Sequence, residues 1–147
     1  LLKRLFPEAE FIHITRAPTA FIPSTIRLWE ALDRTNALED RVDTQRITEF
    51  VFGCYASMYG DFFSSWPKPL TRGHFELRYD ELASNGEAAL QALYEGLSLS
   101  GWGQMKPKVE AELRVRKDYV PNTHLLEDSL ARRIQVECAE YLNYYRY

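Results

Sequence analysis

The chain has 147 residues, of which 46% are hydrophobic and 27% charged, an ordinary globular composition that suits about one domain with a buried core. Its formal net charge of −3 gives no strong positive field for nucleic acid or anionic lipid, so an anionic ligand would need local positive groups. No apolar run approaches the length of a membrane span.

The first half of the chain predicts two helical segments around a strand, and then a long helix. Residues 1–6 read as the end of a helix that a proline stops. The run Phe-Ile-His-Ile-Thr at 11–15 does not strictly alternate, which predicts a parallel strand buried on both faces. Residues 19–32 and 44–66 predict helices, with a polar loop at 36–40 between them. The apolar stripe of the helix at 19–32 comprises Ile22, Ile26, Leu28, Trp29 and Leu32.

The second half predicts one more strand and three helices. Residues 74–79 form the strand candidate, and the sequence at 84–87 resembles a capping box before a helix. Residues 109–115 predict a short helix, and residues 126–145 predict the closing helix. Loops are predicted at 67–73, 98–103 and 116–124.

The two cysteines, Cys54 and Cys138, both fall in the apolar stripes of predicted helices. Their spacing suits neither a zinc site nor a disulfide framework. We therefore expect two free, buried thiols, which are typical of a reducing compartment such as the cytoplasm.

Strands separated by helices favour parallel pairing and an α/β fold. A parallel pair buried on both faces normally has further neighbours, yet only two strands are predicted here. We expect the remaining strands upstream of residue 1, which would make this chain a fragment.

The best candidate for chemistry is Arg16, which a strand delivers to the carboxyl edge of the sheet, together with Ser24, eight residues later in the following helix. Ligands of open α/β sheets bind outside that edge, and the N-terminus of a helix suits phosphate. A guanidinium fork and a serine hydroxyl could both bind such an anion. The pattern alone leaves an alternative open, in which Arg16 pairs with a carboxylate and Ser24 merely lies near the helix start.

The segment from Phe6 to Pro18, Phe-Pro-Glu-Ala-Glu-Phe-Ile-His-Ile-Thr-Arg-Ala-Pro, resembles the 3′-phosphate-binding segment of sulfotransferases that use 3′-phosphoadenylyl sulfate. The family pattern is roughly F-P-x-A-x-F-I-x-x-x-R-x-P, with a serine eight residues after the arginine. The resemblance implies that Arg16 and Ser24 bind the 3′-phosphate of the donor. The family often has aspartate where Ala17 stands, a departure that leaves the phosphate ligands untouched.

A second segment, Leu-Arg-Tyr-Asp-Glu-Leu at 77–82, resembles the family's R-Y-E-D-L element after a strand, with Asp80 and Glu81 in swapped order. The family's tyrosine lies near the adenine, so the resemblance implies the same place for Tyr79. An aromatic ring at a strand end offers a flat face and a hydroxyl, although a tyrosine there can equally be a core residue.

A third segment resembles the tail of bacterial-type sulfotransferases, from Arg116 through the Tyr-x-x-Asn-x-His pattern to the terminal tyrosines. Other members have a basic pair ahead of a glycine loop that touches the 3′-phosphate. Arg116 and Lys117 could take that part, but Asp118 replaces the glycine. They could equally belong to a solvated basic face.

Two functional parts of the family have no counterpart in this sequence. The glycine-rich loop that binds the 5′-phosphosulfate is absent, and the general base is expected upstream of residue 1, so the catalytic residues stay unknown. His13 lies within the predicted strand, and His74 and His124 lack metal-ligand spacing, so none of the three is assigned a role and no metal is expected.

The resemblance therefore implies that residues 1–147 are the C-terminal part of a single sulfotransferase domain. Its fold would be part of a P-loop-like, three-layer parallel sheet with flanking helices, helix-rich towards the C-terminus. The whole enzyme would transfer a sulfuryl group from 3′-phosphoadenylyl sulfate to a hydroxyl or amine of a small molecule or glycan, whereas this part alone would be inactive. The alternatives are another nucleotide-binding, kinase-like P-loop enzyme and a non-enzymatic helical interaction module.

Overall fold

The computed structural model describes residues 2–36, 43–66, 72–116, 118 and 125–147, and it is a mixed α/β structure rich in helix. The predicted loops at 36–40, 67–73 and 116–124 fall mostly outside these ranges. The described elements, in chain order, are α1 (Leu2–Leu5), β1 (Phe11–Thr15), α2 (Pro18–Asn36), α3 (Thr44–Ser65), β2 (His74–Arg78), α4 (Tyr79–Ser84), α5 (Gly86–Gly96), α6 (Trp102–Val115), α7 (Asp128–Glu137) and α8 (Ala139–Tyr145).

The chain divides into two compact units. The first comprises Leu1–Arg16 and Pro67–Pro121, and it holds both strands together with α1, α4, α5 and α6. The second comprises Ala17–Trp66 and Asn122–Tyr147, and it holds α2, α3, α7 and α8.

The sheet of the first unit is the parallel pair that the sequence predicts. The register runs from Phe11 opposite His74 to Thr15 opposite Arg78. Parallel pairing aligns the carboxyl ends of both strands at one edge, so the residues that follow each strand emerge next to each other. The α/β prediction is confirmed at this level.

The prediction that both faces of β1 are buried is wrong. Ile12 and Ile14 are 46% and 53% exposed, whereas Leu77, which lies opposite Ile14, is buried. The reason is that α5 packs over the β2 side of this face, where Leu77 joins Ala89 and Leu93 in one apolar cluster. Helix α5 does not extend over the β1 side of the same face, so Ile12 and Ile14 stay exposed.

The helices of the first unit differ from the prediction mainly at their starts. Asn85 caps α5, since its side chain accepts a hydrogen bond from the Ala88 backbone N–H. The capping box predicted at 84–87 would instead make Ser84 the cap, one residue earlier. Gly96 lets α5 approach β2 closely, because a Cβ there would lie 2.5 Å from the ring of Phe75. Helix α6 begins at Trp102, well before the predicted residue 109.

The second unit is built from helices that bury narrower faces than their sequence stripes indicate. In α2, Ile22 and Ile26 are buried, whereas the rest of the predicted stripe is exposed: Leu28, Trp29 and Leu32.

The predicted closing helix consists of α7 and α8, which meet at Cys138 in a non-helical conformation with φ −104 and ψ 16. Its predicted stripe is nonetheless inward, since Ile134, Cys138 and Tyr141 are all buried.

Aromatic rings fill much of the second core. The ring of Tyr141, in α8, is 1% exposed and packs against Tyr59 of α3 at 4.8 Å between ring centroids, and against Tyr145 at 4.6 Å. Burial raises the pKa of the Tyr59 hydroxyl, which shares a hydrogen bond with the hydroxyl of Tyr141. The Tyr59 hydroxyl therefore stays neutral near pH 7.

The two cysteines are free thiols, as expected, but only Cys138 is buried. Cys54 is exposed, which corrects the prediction. In α3 the buried residues Val51 and Tyr55 lie four positions apart, and position 54 falls on the neighbouring stripe of the helix with the exposed Phe50 and Met58.

An arginine fixes α7 to α3 within the second unit. Arg133 donates to both carboxylate oxygens of Glu49, at 2.6 and 2.7 Å, and its guanidinium carbon lies 4.1 Å from the ring centroid of Phe52. This bidentate geometry suits the planar fork of arginine and not the point charge of lysine.

None of the described helices is both long and apolar enough to cross a membrane.

Candidate functional site

Arg16 and Tyr79 lie side by side at the carboxyl edge of the sheet. The register pairs Thr15 with Arg78, and each of the two residues is the first after its strand. The guanidinium carbon of Arg16 lies 4.5 Å from the centroid of the Tyr79 ring, within the range of a cation–π contact. The structure thus brings together two of the three predicted site residues, both half-buried and both in the first unit.

A short helix fixes the backbone of Tyr79. The strand β2 ends at Arg78, one residue earlier than predicted. Tyr79 is the first residue of α4, a short helix that the sequence pattern does not predict. The Arg78 guanidinium lies 3.9 Å from the Glu81 carboxylate one turn later. Tyr79 is therefore anchored by a sheet on one side and by a helical turn on the other.

Ser24, the third predicted site residue, lies in the second unit. It occupies the second turn of α2, which begins at Pro18, and its side chain is half-buried. The free backbone N–H groups of a helix belong to its first turn. A contribution from Ser24 to anion binding would consequently come from its hydroxyl and not from the helix end.

His13 is a half-buried residue in the middle of β1, opposite Glu76 of β2. Burial lowers the pKa of its imidazole from 6.5 to about 4, so the ring is neutral at pH 7. This agrees with the interpretation of His13 as a packed strand histidine.

The half-buried imidazole of His13 predicts a pH dependence of stability. The unfolded chain binds a proton at His13 below about pH 6.5, while the folded chain does not until about pH 4. The stabilisation from the neutral ring is therefore fully present above pH 6.5 and is lost as the pH falls towards 4. One proton gives a slope of at most about 1.4 kcal/mol per pH unit, which the partial exposure of the ring reduces.

Urea unfolding of the wild type and of His13→Gln between pH 4 and 7.5 measures this effect. We expect the free energy of unfolding of the wild type to fall more steeply than that of the variant between pH 6.5 and 4. Parallel curves for the two proteins would contradict the assignment, because the acidic side chains titrate equally in both.

Of the two basic residues predicted as weaker phosphate ligands, Arg116 lies within the described residues and Lys117 does not. Arg116 is the C-cap residue that follows α6, and it is exposed. Its side chain donates to the Glu112 carboxylate one turn earlier. Lys117 lies outside the described residues, as does His124. Within the described residues, no group of three or more His, Cys, Asp or Glu side chains is arranged to hold a metal ion.

The arrangement at the sheet edge can bind an anion through one guanidinium that an aromatic ring supports. Both residues are predicted from the sequence as site residues, but their contact is not. The signal that could have revealed it is the parallel register, because two residues that directly follow paired strand ends must emerge as neighbours.

Comparison with known proteins relates the chain to enzymes of sulfate transfer. A sulfotransferase family model matches residues 1–104. The chain is 29% identical over 147 residues to the omega-hydroxy-beta-dihydromenaquinone-9 sulfotransferase Stf3 of Mycobacterium bovis and to that of Mycobacterium tuberculosis. It spans 38% of the length of these relatives. No solved structure matches the chain. Because the family model covers well over half of the chain, including both strands, Arg16 and Tyr79, the chain belongs to the sulfotransferase family.

Proposed function

We propose that this chain is the part of a sulfotransferase that binds the 3′-phosphate and adenine of 3′-phosphoadenylyl sulfate. The observation that carries the proposal is the position of Arg16, at the carboxyl edge of a parallel sheet and in contact with Tyr79. Family membership supports sulfuryl transfer in general. The choice of donor and the roles of single residues rest on the motif at 6–18 and on this geometry.

The charges of the chain agree with a local anion site. The net charge of −3 gives no general attraction for a nucleotide with several phosphate charges. A guanidinium supplies a bidentate, charge-assisted contact that is strong enough to act locally. We therefore propose Arg16 as the main ligand of the 3′-phosphate.

The proposal extends to Ser24 and to the fold on the strength of the sequence resemblance. Ser24 stands eight residues after Arg16, as the family pattern requires, and its hydroxyl would be a second phosphate ligand. The parallel pair β1–β2 would belong to a larger three-layer, P-loop-like sheet of the whole enzyme. The described pair has the parallel direction that such a sheet needs.

The reaction of the whole enzyme would be an in-line transfer of the sulfuryl group. The bond between sulfur and the bridging phosphate oxygen breaks, the acceptor oxygen or nitrogen bonds to sulfur, and the acceptor proton passes to a base. We assign neither that base nor the phosphosulfate contacts to residues of this chain. Its own residues would anchor the distant end of the nucleotide, and binding energy from such remote groups can orient the reacting centre.

The acceptor would be a small molecule with a hydroxyl group or an amine. The two mycobacterial relatives are named for a hydroxylated menaquinone. An apolar alcohol is therefore the first acceptor class to test with the whole protein. The alternatives of a kinase-like enzyme and of a non-enzymatic helical module are less favoured, because the chain belongs to the sulfotransferase family.

Calorimetric titration of the purified chain with adenosine 3′,5′-bisphosphate and, in parallel, with 5′-AMP tests the proposal. The two nucleotides differ only in the 3′-phosphate, so their affinity ratio isolates that group. We expect the bisphosphate to bind at least about tenfold more tightly, as one charge-assisted contact would provide. Equal affinities, or no binding of either nucleotide to a chain that circular dichroism shows to be folded, would contradict the proposed site.

A further inference from the structure

The ring of Tyr79 contacts the very side chain that is proposed to bind the phosphate. We propose that Tyr79 is a positioning residue, whose ring holds the guanidinium of Arg16 and so sets the preference for nucleotides that carry a 3′-phosphate. This inference rests on the proposed function. It differs from the role implied by the family resemblance, in which the tyrosine acts near the adenine.

The geometry of the contact suits this role. A cation–π contact uses the electron-rich face of the ring, whereas the N–H donors of arginine lie in the guanidinium plane. The ring of Tyr79 offers no carboxylate oxygen that would compete with a phosphate for the N–H donors of Arg16. A ring also adds no negative charge that would repel an arriving phosphate.

The supporting ring is itself held in place by the backbone. Tyr79 follows Arg78, whose pairing with Thr15 fixes the spacing between the two strand ends. The first turn of α4 then begins at Tyr79, with Glu81 beside Arg78 at 3.9 Å. Pre-ordering Arg16 by such a fixed neighbour reduces the rotamer freedom that phosphate binding would otherwise remove.

Two nucleotides separate this role from a role at the adenine. If Tyr79 acts through Arg16, its removal weakens only the contact to the 3′-phosphate. If Tyr79 contacts the adenine, its removal weakens the binding of 5′-AMP and of adenosine 3′,5′-bisphosphate by the same factor, because both nucleotides carry the base. The affinity ratio of the two ligands therefore reports which role is correct.

The test uses calorimetric titration of Tyr79→Leu and Tyr79→Phe with both nucleotides. We expect Tyr79→Leu to weaken bisphosphate binding by about three- to tenfold, the range of a partly desolvated cation–π contact, with 5′-AMP unchanged. Tyr79→Phe keeps the ring and should keep the affinity ratio. In an Arg16→Ala background, Tyr79→Leu should have no further effect on the ratio.

Pentafluorophenylalanine at position 79 keeps the shape of the ring but removes its negative face, so it tests the same point if Tyr79→Leu does not fold. We expect it to lower the affinity ratio relative to Tyr79→Phe. An unchanged ratio in both Tyr79→Leu and the fluorinated protein would overturn the inference, as would an equal loss for both nucleotides. A wild type that does not prefer the bisphosphate would instead overturn the proposed function, and this inference with it.

Discussion

Replacing Arg16 with alanine is expected to weaken binding of adenosine 3′,5′-bisphosphate by about ten- to a hundredfold and to change the affinity for 5′-AMP by less than about twofold. The reason is that the guanidinium supplies charge-assisted hydrogen bonds to a group that only the bisphosphate carries. Titration calorimetry of both nucleotides at one fixed ionic strength measures the effect, since salt screens these contacts.

Two further variants identify the cause of that loss. Arg132→Ala removes the same charge from an exposed position on α7 and should leave both affinities unchanged, which controls for net charge. Arg16→Lys keeps the charge but loses the planar fork and its fit to the ring of Tyr79, so we expect an intermediate affinity. If Arg132→Ala weakened bisphosphate binding as much as Arg16→Ala does, the loss would come from the change in net charge and not from a specific binding site.

The strands and the long helix were predictable because their signals are local and dense. The run at 11–15 is bounded by prolines on both sides and forms β1 with the predicted ends. Thr44 begins α3 as predicted, since Asp43 accepts a hydrogen bond from the Arg46 backbone N–H and caps the helix. Parallel pairing followed from the order of elements alone.

The prediction failed where packing, and not local propensity, decides the outcome. No composition signal marks Cys138 as the break between α7 and α8, because the apolar stripe continues through it with helical spacing. The predicted stripe of α2 was too broad, since a period of three or four fits both the buried Ile22 and the exposed Trp29. Which stripe turns inward depends on the neighbouring helices.

For the candidate site, the sequence indicates which residues to examine but not how they touch. The motif around Arg16 and the one around Tyr79 lie more than sixty positions apart in the sequence. Only the register of β1 with β2 makes them neighbours, and only side-chain geometry shows that they are in contact. A family resemblance assigns each residue a role by itself, and therefore does not reveal that one can act through the other.

The largest expected effect on stability belongs to Tyr141, the ring at the centre of the second core. Tyr141→Ala should lower the free energy of unfolding by roughly 3–5 kcal/mol, because it leaves a cavity among rings that are fixed by their own helices. Such a loss is a large share of the total stability of an ordinary domain. Urea unfolding followed by circular dichroism measures it.

Tyr144 offers a matched control, because it has the same side chain in the same helix but is 36% exposed. Tyr144→Ala should lower the free energy of unfolding by less, about 1–2 kcal/mol, because its ring contacts Phe63 and Tyr145 but stays partly in solvent. Tyr141→Phe should give a loss near that of this control, because it keeps the ring and loses the hydrogen bond shared with Tyr59, which costs about 1 kcal/mol. Equal losses for Tyr141→Ala and Tyr144→Ala would show that the aromatic cluster is not a packed core, since only a tightly packed interior distinguishes two tyrosines by their burial.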